Sequence, residues 1–164
     1  MSNAYFPIIF DFGLEEPAGQ EEPRQRPTNF LTDSDWKLLL EKSQFVSCHD
    51  GEVILEKGSP RRAIFIVEKG TIRIERHPGA VVARRGQGAV FGEMGFLENS
   101  GASAFVVADG PVDVSVIEEA QLNALLTSIS GLATRFYQTL AVTLAHRLRE
   151  ASDWVNQRKA SDLF

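Results

Sequence analysis

Cysteine is almost absent: Cys48 is the one thiol among 164 residues. A single thiol cannot build an intramolecular disulfide framework, so the chain is expected in a reducing cytoplasm. No motif supplies a base for it, and Cys48 reads as a small buried hydrophobe. Basic residues are outnumbered, with 17 Lys and Arg against 22 Asp and Glu and a net charge of −5. That balance argues against nucleic acid as a partner held by a broad basic face. Long apolar runs are missing as well. Tyr5–Phe10 (YFPIIF) is broken by Pro7 and follows no cationic segment, so neither a signal peptide nor a membrane anchor is expected. Motifs that carry chemistry are equally scarce. His49, His77 and His146 are scattered without zinc spacing, and no G-x-S-x-G, H-E-x-x-H or Walker loop occurs. No enzyme, metal centre or tightly held cofactor is expected.

What remains is an ordinary globular composition, 43% hydrophobic and 24% charged, of a size for one domain. Residues 1–28 form the first segment. Gly13, Pro17, Gly19, Pro23 and Pro27 are interleaved with Asp11, Glu15, Glu16, Glu21 and Glu22, the composition of an extended acidic arm. Three readings stay open for its apolar tip: it docks on a partner, folds back on its own domain, or is a loose terminus whose apolar residues happen to cluster.

The domain proper is expected over 29–130. Thr32 is a helix N-cap candidate with Asp35 three residues on, and Trp36, Leu39 and Leu40 follow at helical spacing, predicting a helix over 33–43. From 45 to 117 the pattern changes to short β-rich runs separated by Gly51, Gly58, Gly70, Gly79, Gly86, Gly88, Gly92 and Gly110. Ile64, Ile66 and Glu68 would face one side of a strand and Phe65, Val67 and Lys69 the other. With no helix long enough for a crossover, a parallel sheet is disfavoured and an antiparallel roll, sandwich or barrel is favoured. A short helix is predicted over 120–127. Residues 131–164 hold one long helix from Leu132 to about Lys159 and a tail. Leu132, Phe136, Leu140, Leu144 and Leu148 lie four apart on it, an apolar stripe that packs on its own barrel or on another subunit. Arg147, Arg149, Arg158 and Lys159 suit the helix C-terminus.

Residues 91–106 read FGEMGFLENSGASAFV. Gly92 allows close backbone approach, and the short helical turn after Glu93 can aim N–H groups at a phosphate. The stretch contains no Arg or Lys. Together with GEVILEKGSPRRAIFIVEKGTIRI (51–74) and the closing long helix, it resembles the cyclic-nucleotide-binding domain family over about residues 29–155. The resemblance implies a mainly β fold: an antiparallel double-stranded β-roll, or jelly roll, flanked by an N-terminal helix and a long C-terminal helix. It implies a ligand cassette at Phe91, Gly92, Glu93, Met94, Ala102, Ser103 and Ala104. Glu93 corresponds to the family carboxylate that accepts from a ribose 2′-hydroxyl, and Ser103 to a small position that can bond the phosphate. Ala102 stands where the family places the Arg that pairs with the cyclic phosphate.

Losing one partner of a buried charge pair costs roughly 2–5 kcal/mol, about 30-fold to several thousand-fold in affinity. The expected function is therefore a regulatory module with lost or weakened cyclic-nucleotide binding. It would act as a homodimer, or on a partner protein, through the C-terminal helix. The alternative is a sensor of cAMP, cGMP or another metabolite whose ligand moves that helix. Arg84 and Arg85 are candidate substitute cations, because adjacent strand residues face opposite ways. Arg61 and Arg62 are weaker candidates on an exposed hairpin. Glu93 also has a plainer role open to it, as a cap of the short helix or a bridge to a surface Arg. Transcription activators of the family carry a DNA-reading module after the long helix, and none is expected within this sequence.

Overall fold

Thr32 and Asp35 exchange bonds at the start of α1 (Asp33–Glu41). The Asp35 N–H donates to the Thr32 hydroxyl at 3.2 Å, and the Thr32 N–H donates to the Asp35 carboxylate at 2.9 Å. Two orphan donors are thus satisfied, and the helix begins where the capping pattern placed it. The computed structural model describes residues 30–161. The N-terminal arm 1–28 and the tail Asp162–Phe164 lie outside the described residues.

After α1 the chain runs through β1 (Gln44–Cys48), β2 (Val53–Leu55), β3 (Ala63–Glu75), β4 (Val81–Arg85), β5 (Val90–Phe91), α2 (Glu93–Glu98), β6 (Phe105–Glu118), α3 (Glu119–Ser128) and α4 (Leu132–Ser161). The strands form one antiparallel six-stranded sheet in the order β1-β6-β3-β4, with β2 on β6 and β5 on β3. β3 and β6 are its backbone, at 13 and 14 residues. Their mutual register slips on either side of Lys69, and Gly70 and Gly110 have φ of +88° and +86° there. Such breaks bend and coil a long strand pair, so the sheet can roll up rather than stay flat. The fold is the β-roll with flanking helices.

The alternation along β3 separates two cores. Ile64 and Ile66 join Leu31, Trp36, Leu39, Leu122, Leu132, Phe136 and Leu140 in a core between sheet and helices. Phe65 and Val67 join Leu55, Phe91, Val106, Val114 and Val116 inside the roll. β3 is therefore buried on both sides over this stretch, and its sequence shows a continuous apolar run there instead of a polar face. The α4 stripe splits differently. Leu132, Phe136 and Leu140 are buried against the domain itself, Leu144 is half-buried, and Leu148 is exposed. Arg135, on the first turn of α4, reaches back to Asp35 of α1. The helices α1, α3 and α4 run 33–41, 119–128 and 132–161, within two residues of the predicted bounds at every end. Among the described residues no helix is long and apolar enough to cross a membrane.

Candidate functional site

The turn from β5 into α2 is built on Gly92. Its φ is +81°, and a Cβ there would lie 2.6 Å from the Ala63 carbonyl oxygen and 2.8 Å from the Phe65 ring. Only glycine fits both the conformation and the space. Phe91 is fixed beside it by stacking on Phe65, with ring centroids 4.7 Å apart. These constraints place Glu93, the first residue of α2, with its side chain buried. α2 ends at Asn99, in the left-handed region at φ +54°. The loop that follows is fastened to the β2–β3 loop. The Gly58 N–H donates to the Ala102 carbonyl at 2.7 Å, and the Ala102 N–H donates to the Ser59 carbonyl at 3.0 Å. Gly101 sits so close to Gly58 that a Cβ would meet its carbonyl oxygen at 2.8 Å.

This geometry encloses a cavity of about 150 Å³. All seven cassette residues named from the sequence line it: Phe91, Gly92, Glu93, Met94, Ala102, Ser103 and Ala104. Leu55, Ile74 and Val106 complete its apolar wall. The Ala102 methyl packs toward the interior of the roll. The Ser103 hydroxyl contacts the Met94 sulfur at 3.6 Å.

One charged lining residue lies outside the seven cassette positions. Arg147 enters the cavity from α4. Its Nη1 donates to Glu93 Oε1, and its Nη2 donates to the Val90 carbonyl at 2.7 Å. Both side chains are largely withdrawn from water, with 22% of Arg147 and 5% of Glu93 exposed, so the pair is better shielded than a surface ion pair. Glu93 does bridge to an Arg, but the partner is a largely withdrawn side chain of α4 in the cavity wall and not the expected surface Arg. The sequence carried no signal for it, since the partners are 54 positions apart and Arg147 read as a helix-terminal charge.

The candidate substitute cations stand elsewhere. Arg84 faces outward, and its Nε donates to Asp109 Oδ2 at 2.8 Å. With Arg73 and Glu75 it lines a separate open depression. Arg85 is the buried member of the pair. Neither is among the residues around the cassette cavity. Arg61 pairs with Glu118 and stands over the Phe65 ring at 5.4 Å, and Arg62 pairs with Glu119 at 2.6 Å. Among the described residues no group of three or more His, Cys, Asp or Glu is placed to hold a metal. Burial pushes the Cys48 thiol above its ordinary range, away from nucleophile chemistry.

Comparison with known proteins decides the family. The family model of the cyclic nucleotide-binding domain matches residues 45–128, just over half of the chain. This chain belongs to the cyclic nucleotide-binding domain family. Cyclic GMP-binding protein C of Dictyostelium discoideum is similar to it, at 29% identity over 123 residues, which is 73% of this chain and 5% of that protein. The chain thus spans a small fraction of that relative's length. Among solved structures, the catabolite activator protein of Thermus thermophilus is similar at 28% identity and a TM-score of 0.64, over 79% of this chain and 61% of that one. A cyclic nucleotide-binding domain from Methylobacillus flagellatus shares the fold with a TM-score of 0.69 at 23% identity, over 78% of this chain and 74% of that one. The matched family model describes a ligand-binding domain.

Proposed function

We propose that this chain is a cytoplasmic regulatory module whose cassette binds cyclic nucleotide weakly, and which acts through contacts of α4 with a second copy or a partner protein. The observation that carries this reading is at position 102. A methyl group lines the cavity where a cation would be needed, and the one cationic side chain among the described lining residues, Arg147, is engaged by Glu93 and Val90. A cyclic phosphate entering this cavity would lose its aqueous hydration without gaining a charge partner. The exposed Leu148 supports the outward half of the reading, because the α4 stripe continues past the point where its own domain covers it.

The test is isothermal titration calorimetry of the protein, and of Ala102→Arg, against cAMP and cGMP. The name of the Dictyostelium relative makes cyclic GMP the first ligand to try. Wild-type protein is expected to show no saturation below roughly 100 μM, with a gain of about 30-fold or more in the variant. Micromolar binding by the wild type overturns the reading.

A second reading is favoured by the reach of α4 into the cavity through Arg147. A cyclic nucleotide or another small metabolite held beside Glu93 and Ser103 would meet that helix directly, and the module would then work as a sensor.

A further inference from the structure

α4 divides into two halves by how it is held. Over its first half Phe136, Thr139, Leu140 and Thr143 are buried, and Arg135 is tied to Asp35. From Leu144 to Asp153 the side chains are half-buried or exposed, and Leu148 is 69% exposed. Arg147 lies in this second half, about 18 Å along the helix axis from Arg135 by the rise per residue. It ties the second half to the cassette at two points, the Glu93 carboxylate and the Val90 carbonyl.

We infer that Arg147 is an internal competitor for the cassette, a latch that must leave Glu93 before a ligand can use the site. This rests on the reading of the cassette as a weakened ligand pocket. Two observations carry it. The first is chemical: the carboxylate that a ligand's ribose 2′-hydroxyl would donate to is already accepting from the chain's own guanidinium. The second is spatial. The cavity holds about 150 Å³ with Arg147 in its wall, and pockets for small molecules start at about 300 Å³. Withdrawing the Arg147 side chain both frees the carboxylate and enlarges the space.

Latch and ligand are then mutually exclusive at Glu93. By linkage, a partner that draws the second half of α4 away strengthens ligand binding, and ligand strengthens that partner's binding by the same factor. A protein that grips α4 around Leu148 would set the affinity of a pocket it never enters. The low affinity of the module would then have two separable sources, the missing charge at 102 and the occupied carboxylate at 93.

The experiment is calorimetric titration with cGMP and cAMP of the full chain carrying Arg147→Gln, Ala102→Arg, or both. Arg147→Met, which keeps the apolar stem, stands in if the Gln variant melts early. Arg147→Gln is expected to bind about tenfold or more tighter than wild type, since a charge-assisted bond no longer has to be broken. The double variant is expected to exceed Ala102→Arg by a similar factor. Unchanged or weaker binding in Arg147→Gln, with a gain in Ala102→Arg, overturns the latch and leaves the cassette reading standing; a loss would make Arg147 a ligand contact. If no variant binds, the cassette reading falls and the latch falls with it.

Discussion

Arg135 grips Asp35 with two parallel bonds, Nε to Oδ2 and Nη2 to Oδ1, each 2.7 Å long. This fork joins the first described helix to the last across 100 positions of sequence. The guanidinium beside it, aided by the Thr32 N–H and hydroxyl, holds the Asp35 carboxyl down at about 2, although burial alone would raise it. A depressed carboxyl stabilises the fold above its ordinary value of 3.8, and that contribution is lost as pH falls toward 2. The fork is expected to contribute on the order of 2 kcal/mol at neutral pH. Wild-type stability by urea denaturation should drop between pH 4 and pH 2 by more than that of Arg135→Ala, which should already be weaker at pH 7 by roughly 2–4 kcal/mol. Parallel pH curves for the two proteins would remove the fork from the account.

Gly92 and Gly110 offer a matched pair. Both have positive φ, +81° and +86°, but a Cβ on Gly110 meets nothing within 4 Å while one on Gly92 strikes backbone at 2.6 Å. Gly110→Ala is expected to cost about 1 kcal/mol from conformation alone. Gly92→Ala should cost at least about twice that and displace Glu93. Equal losses in chemical denaturation would mean that the turn relaxes freely.

The α4 stripe makes a separable prediction about stability and association. Leu140 is 2% exposed and Leu148 is 69% exposed. Leu140→Ala is expected to cost about 2–5 kcal/mol, whereas Leu148→Glu should stay within about 0.5 kcal/mol. If α4 pairs subunits, analytical ultracentrifugation should show Leu148→Glu dissociating at concentrations where the wild type does not. A wild type that is monomeric at all concentrations would direct attention to a heterologous partner.

Arg84 lines a depression of its own and is held by Asp109. In the Ala102→Arg background, Arg84→Ala is therefore expected to leave cyclic-nucleotide affinity within about twofold, far below the tenfold that 1.4 kcal/mol represents. A loss beyond tenfold would restore Arg84 as a phosphate partner.

Local signals are legible in the sequence because their causes are local. Thr32 and Asp35 cap α1 within one turn, and glycines between β-rich runs mark turns that the backbone takes at Gly51, Gly58 and Gly79, whereas Gly70 lies inside the continuous strand β3 at its register slip. The cassette residues were found together because they are contiguous around one turn and one loop. Pairings between distant positions were not legible. Glu93 with Arg147, and Asp35 with Arg135, depend on where α4 lies across the roll, and an apolar stripe says only that a helix packs, not which Arg ends beside which carboxylate. The same limit applies to β3: alternation along Ile64–Val67 assigns two faces but does not tell that each meets a different core. The arm with Tyr5–Phe10 and the tail Asp162–Phe164 lie outside the described residues, as do the side chains of Trp154 and Val155.

The loop carrying Ala102 is stitched to its neighbour through main-chain atoms, by bonds from Gly58 and to Ser59 that no side chain mediates. The path of the loop backbone is thus held without help from the side chain at 102. A lineage could discard or reacquire its charged pin without redrawing the frame around it, and an engineer could retune the module's appetite for anions at that position while the roll stays as it is.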